Sequence, residues 1–193
     1  MRLFFAVKIP EEVRRSIAAG LAELRRRLPA ARWVRPEGLH ITLKFLGEQP
    51  ETLVEPLYRE ATQALVGVRP VTVALAGGGF FPSPKRPRVA WLGGRADGLE
   101  EWAEALERCA CRHGVKEEER RWAVHLTLAR LERPWPPSQV ERFVQTVGEW
   151  RLAPFAAREV VLFASQLAPG GARYTPVRRI GVGEQQGEGG GDP

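Results

Sequence analysis

Residues 39–48 read "LHITLKFLGE" and residues 124–133 read "VHLTLARLER", so two of the chain's three histidines share one setting, His-x-Thr-Leu. Alternation of polar and apolar residues marks both stretches as strands with one buried face. On the first, His40, Thr42 and Lys44 share a side, while Ile41, Leu43 and Phe45 take the other. On the second, His125 and Thr127 share a side, and Leu126 and Leu128 point away. Strict alternation also turns Arg130 off the histidine side, unless the strand bends or ends near Ala129. Each strand thus anchors through its apolar face and offers an imidazole and a hydroxyl on the opposite one.

The surrounding pattern is that of an α+β fold. Residues 2–9, "RLFFAVKI", read as a first strand. Pro10 opens a helix with Glu11 and Glu12 at the positive end of its dipole. Its stripe is Val13, Ile17, Leu21, Leu24 and Leu28, and Pro29 stops it. A second helix is expected over about 52–66, with Pro56 in its first turn. Strands at 71–81 and 88–94 flank the proline-rich basic loop "PSPKRP". Asp97 is placed to cap a third helix carrying Leu99, Trp102, Ala103, Leu106 and Ala110, closed by Gly114. Ser138 and Glu141 form a capping-box pattern for a fourth helix with Val140, Phe143, Val144 and Val147 inside. Strands near 156–167 and 172–181 follow, joined by the turn "APGGA". Each half then holds strands, two helices and one His-x-Thr strand, which predicts duplicated α+β lobes facing each other across a cleft. Residues 1–182 are expected to form one bilobal unit, and the glycine-rich stretch 183–193 a disordered tail.

Composition bounds the partners. A chain of 193 residues, 44% hydrophobic and 27% charged, affords a core without cross-links. No apolar run approaches the ~20 residues needed to span a bilayer, so a cytoplasmic protein is expected. Cys109 and Cys111 lie two apart in a helix, where side chains do not face each other, and read as reduced thiols. The net charge of +6, carried almost wholly by arginine, favours an anionic partner such as nucleic acid or a phosphorylated small molecule; a solvated arginine-rich surface gives the same count.

Two imidazoles and two hydroxyls on matched strands suit displacement at phosphorus, where entering and leaving oxygens lie on opposite sides. One neutral histidine deprotonates the entering water, and one protonated histidine donates to the leaving alkoxide. The threonine hydroxyls donate to the non-bridging oxygens. The donor set is poor for zinc, and no serine sits in a nucleophile elbow. Either histidine alone reads better as a strand residue satisfied by a local hydrogen bond; the duplication on matched strands favours chemistry.

The doubled His-x-Thr motif resembles the signature of the 2H phosphoesterase superfamily. The stretches "WVRPEGLHITLKFLGE" (33–48), "RLFFAVKIP", "FFPSPKRPRVAWLG" and "HLTLARL" resemble more narrowly the RNA 2′,3′-cyclic phosphodiesterases, also called 2′-5′ RNA ligases. The resemblance implies a bilobal fold with the site between the lobes. It implies metal-independent opening of 2′,3′-cyclic phosphates on RNA 3′ ends or nucleotides to 2′-phosphates, and in some members joining of tRNA halves. By position, His40 would be the acid and His125 the base, with Thr42, Thr127 and Arg130 on the phosphate. Lys44 has the parity to compete with Arg130 for that role. Phe45 either stacks on a base or packs in its own layer. The basic residues Lys85, Arg86 and Arg88, beside Phe80, Phe81 and Trp91, suit a single-stranded RNA end, or form a solvated loop over core aromatics. His113 reads as a helix C-cap. No cofactor or metal is expected, the protein is expected to be a monomer, and a non-catalytic RNA-binding module and a metal-dependent hydrolase are the rival readings.

Overall fold

The computed structural model describes residues 1–168 and 171–183. The expected tail lies, apart from Gly183, outside the described residues, as do two residues of the 168–172 turn.

Among the described residues, nine strands and four α-helices follow one another in an α+β arrangement. Strand β1 is Arg2–Lys8 and helix α1 is Glu11–Arg27. Strands β2 (Arg32–Trp33) and β3 (His40–Glu48) lead to helix α2 (Val54–Ala64). Strands β4 (Val71–Ser83) and β5 (Arg86–Arg95) precede α3 (Leu99–Arg112). Strand β6 (His125–Arg130), helix α4 (Pro137–Gly148) and strands β7 (Phe155–Ala157), β8 (Glu159–Ala168) and β9 (Gly171–Gly181) complete the fold.

The strands form two antiparallel sheets. One has the order β3-β1-β8-β9, the other β2-β6-β5-β4-β7. Each sheet carries one His-x-Thr strand, but the sheets are not the two halves of the sequence. The first takes its strands from the two ends of the chain, and the second takes β2 and the middle. β3 and β6 pack directly against each other, which brings the two motifs together.

Apolar periodicity fixes which faces are covered. Helix α1 buries Val13, Ile17, Leu21 and Leu24, each contributing roughly 1.5–3 kcal/mol by leaving water. Acidic residues in its first turn and Arg25, Arg26 and Arg27 in its last complement the helix dipole. Along β1, Leu3, Phe5 and Val7 join the main core, while Phe4 and Ala6 join a small separate cluster with Val161 and Phe163 of β8. That second cluster marks the sheet face turned towards the motifs.

Several local expectations are corrected. Asp97 does not cap α3: its carboxylate takes Arg95 at 2.8 and 2.7 Å, and Gly98, at φ 96°, holds the cap position. The Ser138–Glu141 capping box does not form, because α4 starts at Pro137 and Ser138 lies inside its first turn. Proline at the first position has no N–H to be capped. The "PSPKRP" loop is mostly strand: β4 and β5 continue until only Pro84 and Lys85 form the turn. The two-residue strand β2 was not expected at all.

Gly94 of β5 lies where a methyl group would meet the Ala74 carbonyl oxygen at 2.5 Å. Backbone cannot step aside as a side chain can, so Gly94→Ala should lower stability by ~1–3 kcal/mol in a denaturant titration.

Candidate active site

One extra residue in each motif strand decides what the cleft contains. Between β1 and β3, Ala6 pairs with Thr42 and Phe5 with Lys44, so Leu43 is unmatched. Between β5 and β6, Trp91 pairs with Thr127 and Ala90 with Ala129, so Leu128 is unmatched. Each is a β-bulge one residue past the threonine, and a bulge reverses the alternation beyond it. Burial follows identically in both strands. The histidine and threonine are half-buried, the residues after them buried, and the fifth residue past the histidine is exposed.

The parity expectations for three residues are therefore corrected. Lys44 turns away from His40 and Thr42: it is 4% exposed and donates from Nζ to Glu107 Oε1 at 2.7 Å and to the Lys116 carbonyl at 2.9 Å. Phe45 turns outward, with the Arg2 guanidinium 4.9 Å from its ring centre. Arg130, its counterpart on β6, is exposed, and its charge acts on His40. The bulge is the bend that alternation alone required for Arg130 to face the histidines.

Both imidazoles are oriented in the same way. His40 Nδ1 lies 2.7 Å from the Gly38 carbonyl and His125 Nδ1 lies 2.9 Å from the Ala123 carbonyl. A carbonyl only accepts, so each Nδ1 carries a proton, and Nε2 is the nitrogen left to exchange one. In each case the acceptor stands two residues before the histidine, outside the strand.

Their surroundings differ. His40 sits among rings: Phe4 at 4.7 Å between centroids, Tyr174 edge-on at 4.9 Å and Phe163 at 6.3 Å. His125 has Phe81 edge-on at 5.1 Å. Burial is the main cause that pushes the His40 imidazolium down to about 4; the Gly38 hydrogen bond opposes it, and the charges of His125 and Arg130 add to it. Burial alone thus favours the neutral imidazole, and the two neighbouring charges add a smaller push in the same direction.

Lys85 stands at the tip of the β4–β5 hairpin, with Arg86 and Arg88 exposed along β5. Phe81 from the same hairpin reaches His125, whereas Phe80 packs into the core against Trp135 and Phe143. His113 is the C-cap of α3, and its Nε2 meets Glu60 at 2.6 Å, where Arg112 also bonds. Cys109 brings its sulfur to this cluster, which ties α2 to α3; burial pushes its thiol up to about 11. The aromatic surround of His40 was not foreseen. Its signal was Phe4, whose parity is opposite to that of Leu3 and Phe5.

Comparison with known proteins agrees with this architecture. The family model described as "LigT like Phosphoesterase" matches residues 7–91 and 93–174. The chain is 34% identical over 206 aligned positions to the RNA 2′,3′-cyclic phosphodiesterase of Thermus thermophilus, covering 100% of this chain and 98% of that protein. It is 34% identical over 185 positions to the protein of the same name from Escherichia coli, covering 92% and 94%. Among solved structures, E. coli LigT complexed with 3′-AMP superposes with a TM-score of 0.74 at 30% identity, covering 95% of this chain and 98% of that one. A structure from Thermus thermophilus gives 0.76 at 28% identity, covering 94% and 98%.

His40 should titrate near pH 4 in an NMR experiment on the unliganded protein. Arg130→Gln removes one of the charges opposing its protonation and should move the midpoint up by a few tenths of a unit. An unmoved midpoint would separate Arg130 from the histidine pair.

Proposed function

The chain belongs to the LigT-like phosphoesterases of the 2H superfamily, and on that premise we propose that it opens terminal 2′,3′-cyclic phosphates of RNA or nucleotides to 2′-phosphates. The observation that carries this reading is the pair of identically bulged His-x-Thr strands, each with Nδ1 bonded to a carbonyl and Nε2 left for proton transfer.

The chemistry is an in-line displacement. A water oxygen bonds to phosphorus as His125 Nε2 takes its proton. The bond from phosphorus to O3′ breaks, and O3′ takes the proton of His40 Nε2. The phosphate stays on O2′. Thr42, Thr127 and Arg130 donate to the non-bridging oxygens, where charge accumulates. Side chains thus supply acid, base and charge stabilisation, and the reaction proceeds without a metal.

Two asymmetries support this division of roles. The leaving oxygen carries a nucleoside, and the aromatic side of the cleft is that of His40. The entering group is water, and His125 has the less crowded surroundings. Burial keeps His40 neutral in the free protein, so it takes up a proton from solvent as the substrate binds: a phosphodiester anion beside it offsets the loss of solvation and the charge of Arg130. The burial that disfavours a lone imidazolium strengthens its pairing with that anion.

A 5′-hydroxyl in place of water would give a 2′-5′ linkage, the reaction that joins tRNA halves. We place the protein in the cytoplasm as a monomer acting on RNA 3′ ends, tRNA halves or small cyclic nucleotides.

Turnover of a 2′,3′-cyclic nucleotide in EDTA tests the reading. His40→Ala and His125→Ala should each lose at least about a hundredfold in kcat, and the product should be the 2′-phosphate. Residual kcat/KM should fall with rising pH in His125→Ala, where only the acid remains, and rise with pH in His40→Ala. Reversed limbs would exchange the roles. Near-wild-type rates in both variants, or loss of all activity in EDTA, would overturn the mechanism.

A further inference from the structure

The two motif strands are held unequally. β6 is bonded on both sides, to β2 and β5, whereas β3 is an edge strand with only β1 beside it. An edge leaves backbone groups without strand partners. The segment 115–124, between α3 and β6, is bonded to β3 at two points. Trp122 Nε1 donates to the Thr42 carbonyl at 2.9 Å. Lys44 Nζ reaches the Lys116 carbonyl at 2.9 Å while paired with Glu107 at 2.7 Å. Glu107 also accepts the Glu118 N–H at 3.0 Å. One residue past Trp122, the Ala123 carbonyl holds His125 Nδ1. The same ten residues therefore grip Thr42 at one point and His125 at another.

Lys44 is an improbable choice for stability alone. A buried ion pair seldom contributes more than apolar residues of similar size. The matching place on β6 is filled by Ala129, fully buried and uncharged. Burial works to raise the Glu107 carboxyl, yet the bonds from Lys44 and the Glu118 N–H outweigh it and hold it below its ordinary value. Lys44 and Glu107 are thus bonded both to each other and to the segment.

We propose that Lys44, Glu107 and Trp122 are positioning residues: they lock segment 115–124 onto the free edge of β3 and so set the placement of His40 and Thr42 relative to His125. The proposal rests on reading His40 and His125 as the acid–base pair. None of the three residues touches the phosphate; they act through the backbone that carries the groups that do.

The test uses adenosine 2′,3′-cyclic monophosphate as substrate, with thermal midpoints measured on the same samples. Lys44→Met and Trp122→Phe each remove a bond and keep most of the packing. Both should lower kcat about tenfold to a hundredfold, since a displacement of about 1 Å costs that much, with KM changed by less than about threefold. The double variant Lys44→Met/Glu107→Leu replaces the ion pair by apolar groups and should recover the wild-type midpoint but not kcat. Recovery of kcat along with the midpoint would make the pair structural only and overturn the proposal. So would wild-type kcat in Lys44→Met and Trp122→Phe while His40→Ala and His125→Ala are inactive. Activity surviving in the histidine variants would overturn the proposal together with the reading beneath it.

Discussion

One inserted residue just past the threonine of each motif strand is the constraint on which the site depends. A strand of regular alternation starting at His125 would bury Arg130 and expose Ala129. The bulge at Leu128 does the reverse, and the bulge at Leu43 does the same to Lys44 and Phe45. The histidine and threonine keep their side, and the fifth residue past the histidine rejoins it. Bulges bend a strand and add local twist at the cost of an unmatched residue. Here that cost is offset by apolar burial, since Leu43 and Leu128 both lie in the core.

The duplicated backbone then carries unequal chemistry. Copy two places a guanidinium past the bulge, and copy one places a phenyl ring there. His40 is surrounded by Phe4, Phe163 and Tyr174, which remove water from it and depress its pKa to about 4, while Gly38 keeps its Nδ1 proton in place. Two like imidazoles must differ if one is to give a proton while the other takes one, and environment separates them where sequence does not. Here equal backbone geometry is combined with unequal surroundings.

Much of this was legible in the sequence. The apolar stripe of α1, the strand character of 39–46 and the pairing of two His-x-Thr strands rest on periodicities that burial enforces. The α+β class follows from them. The missed helix caps share one physical cause: competition between partners that a linear reading cannot see. Asp97 has the chemistry of a cap, but Arg95 claims its carboxylate first. Ser138 has capping-box spacing, but Pro137 moves the helix start ahead of it. Two sheets, each with one His-x-Thr strand, were foreseen, but not their membership, because strands from both ends of the chain share one sheet. Alternation failed at Lys44 and Arg130 for a different reason, because a bulge shifts register without changing any residue's hydropathy.

The fate of Lys44 shows how sheet topology reaches into the site. Both bulges turn the residue two past the threonine inward, and in β6 alanine suffices because β2 covers the outer edge down to the Arg32–Arg130 pairing. In β3 nothing in the sheet occupies that edge, so a buried ammonium there meets a carboxylate and a carbonyl from elsewhere in the chain. Those partners belong to α3 and to the segment that enters β6. A lysine that alternation alone would have turned towards His40 is drawn instead into bonds with α3 and the segment that enters β6, while Arg130 stays exposed beside the histidines. Edge position in one sheet thus decides which of two cations faces the cleft.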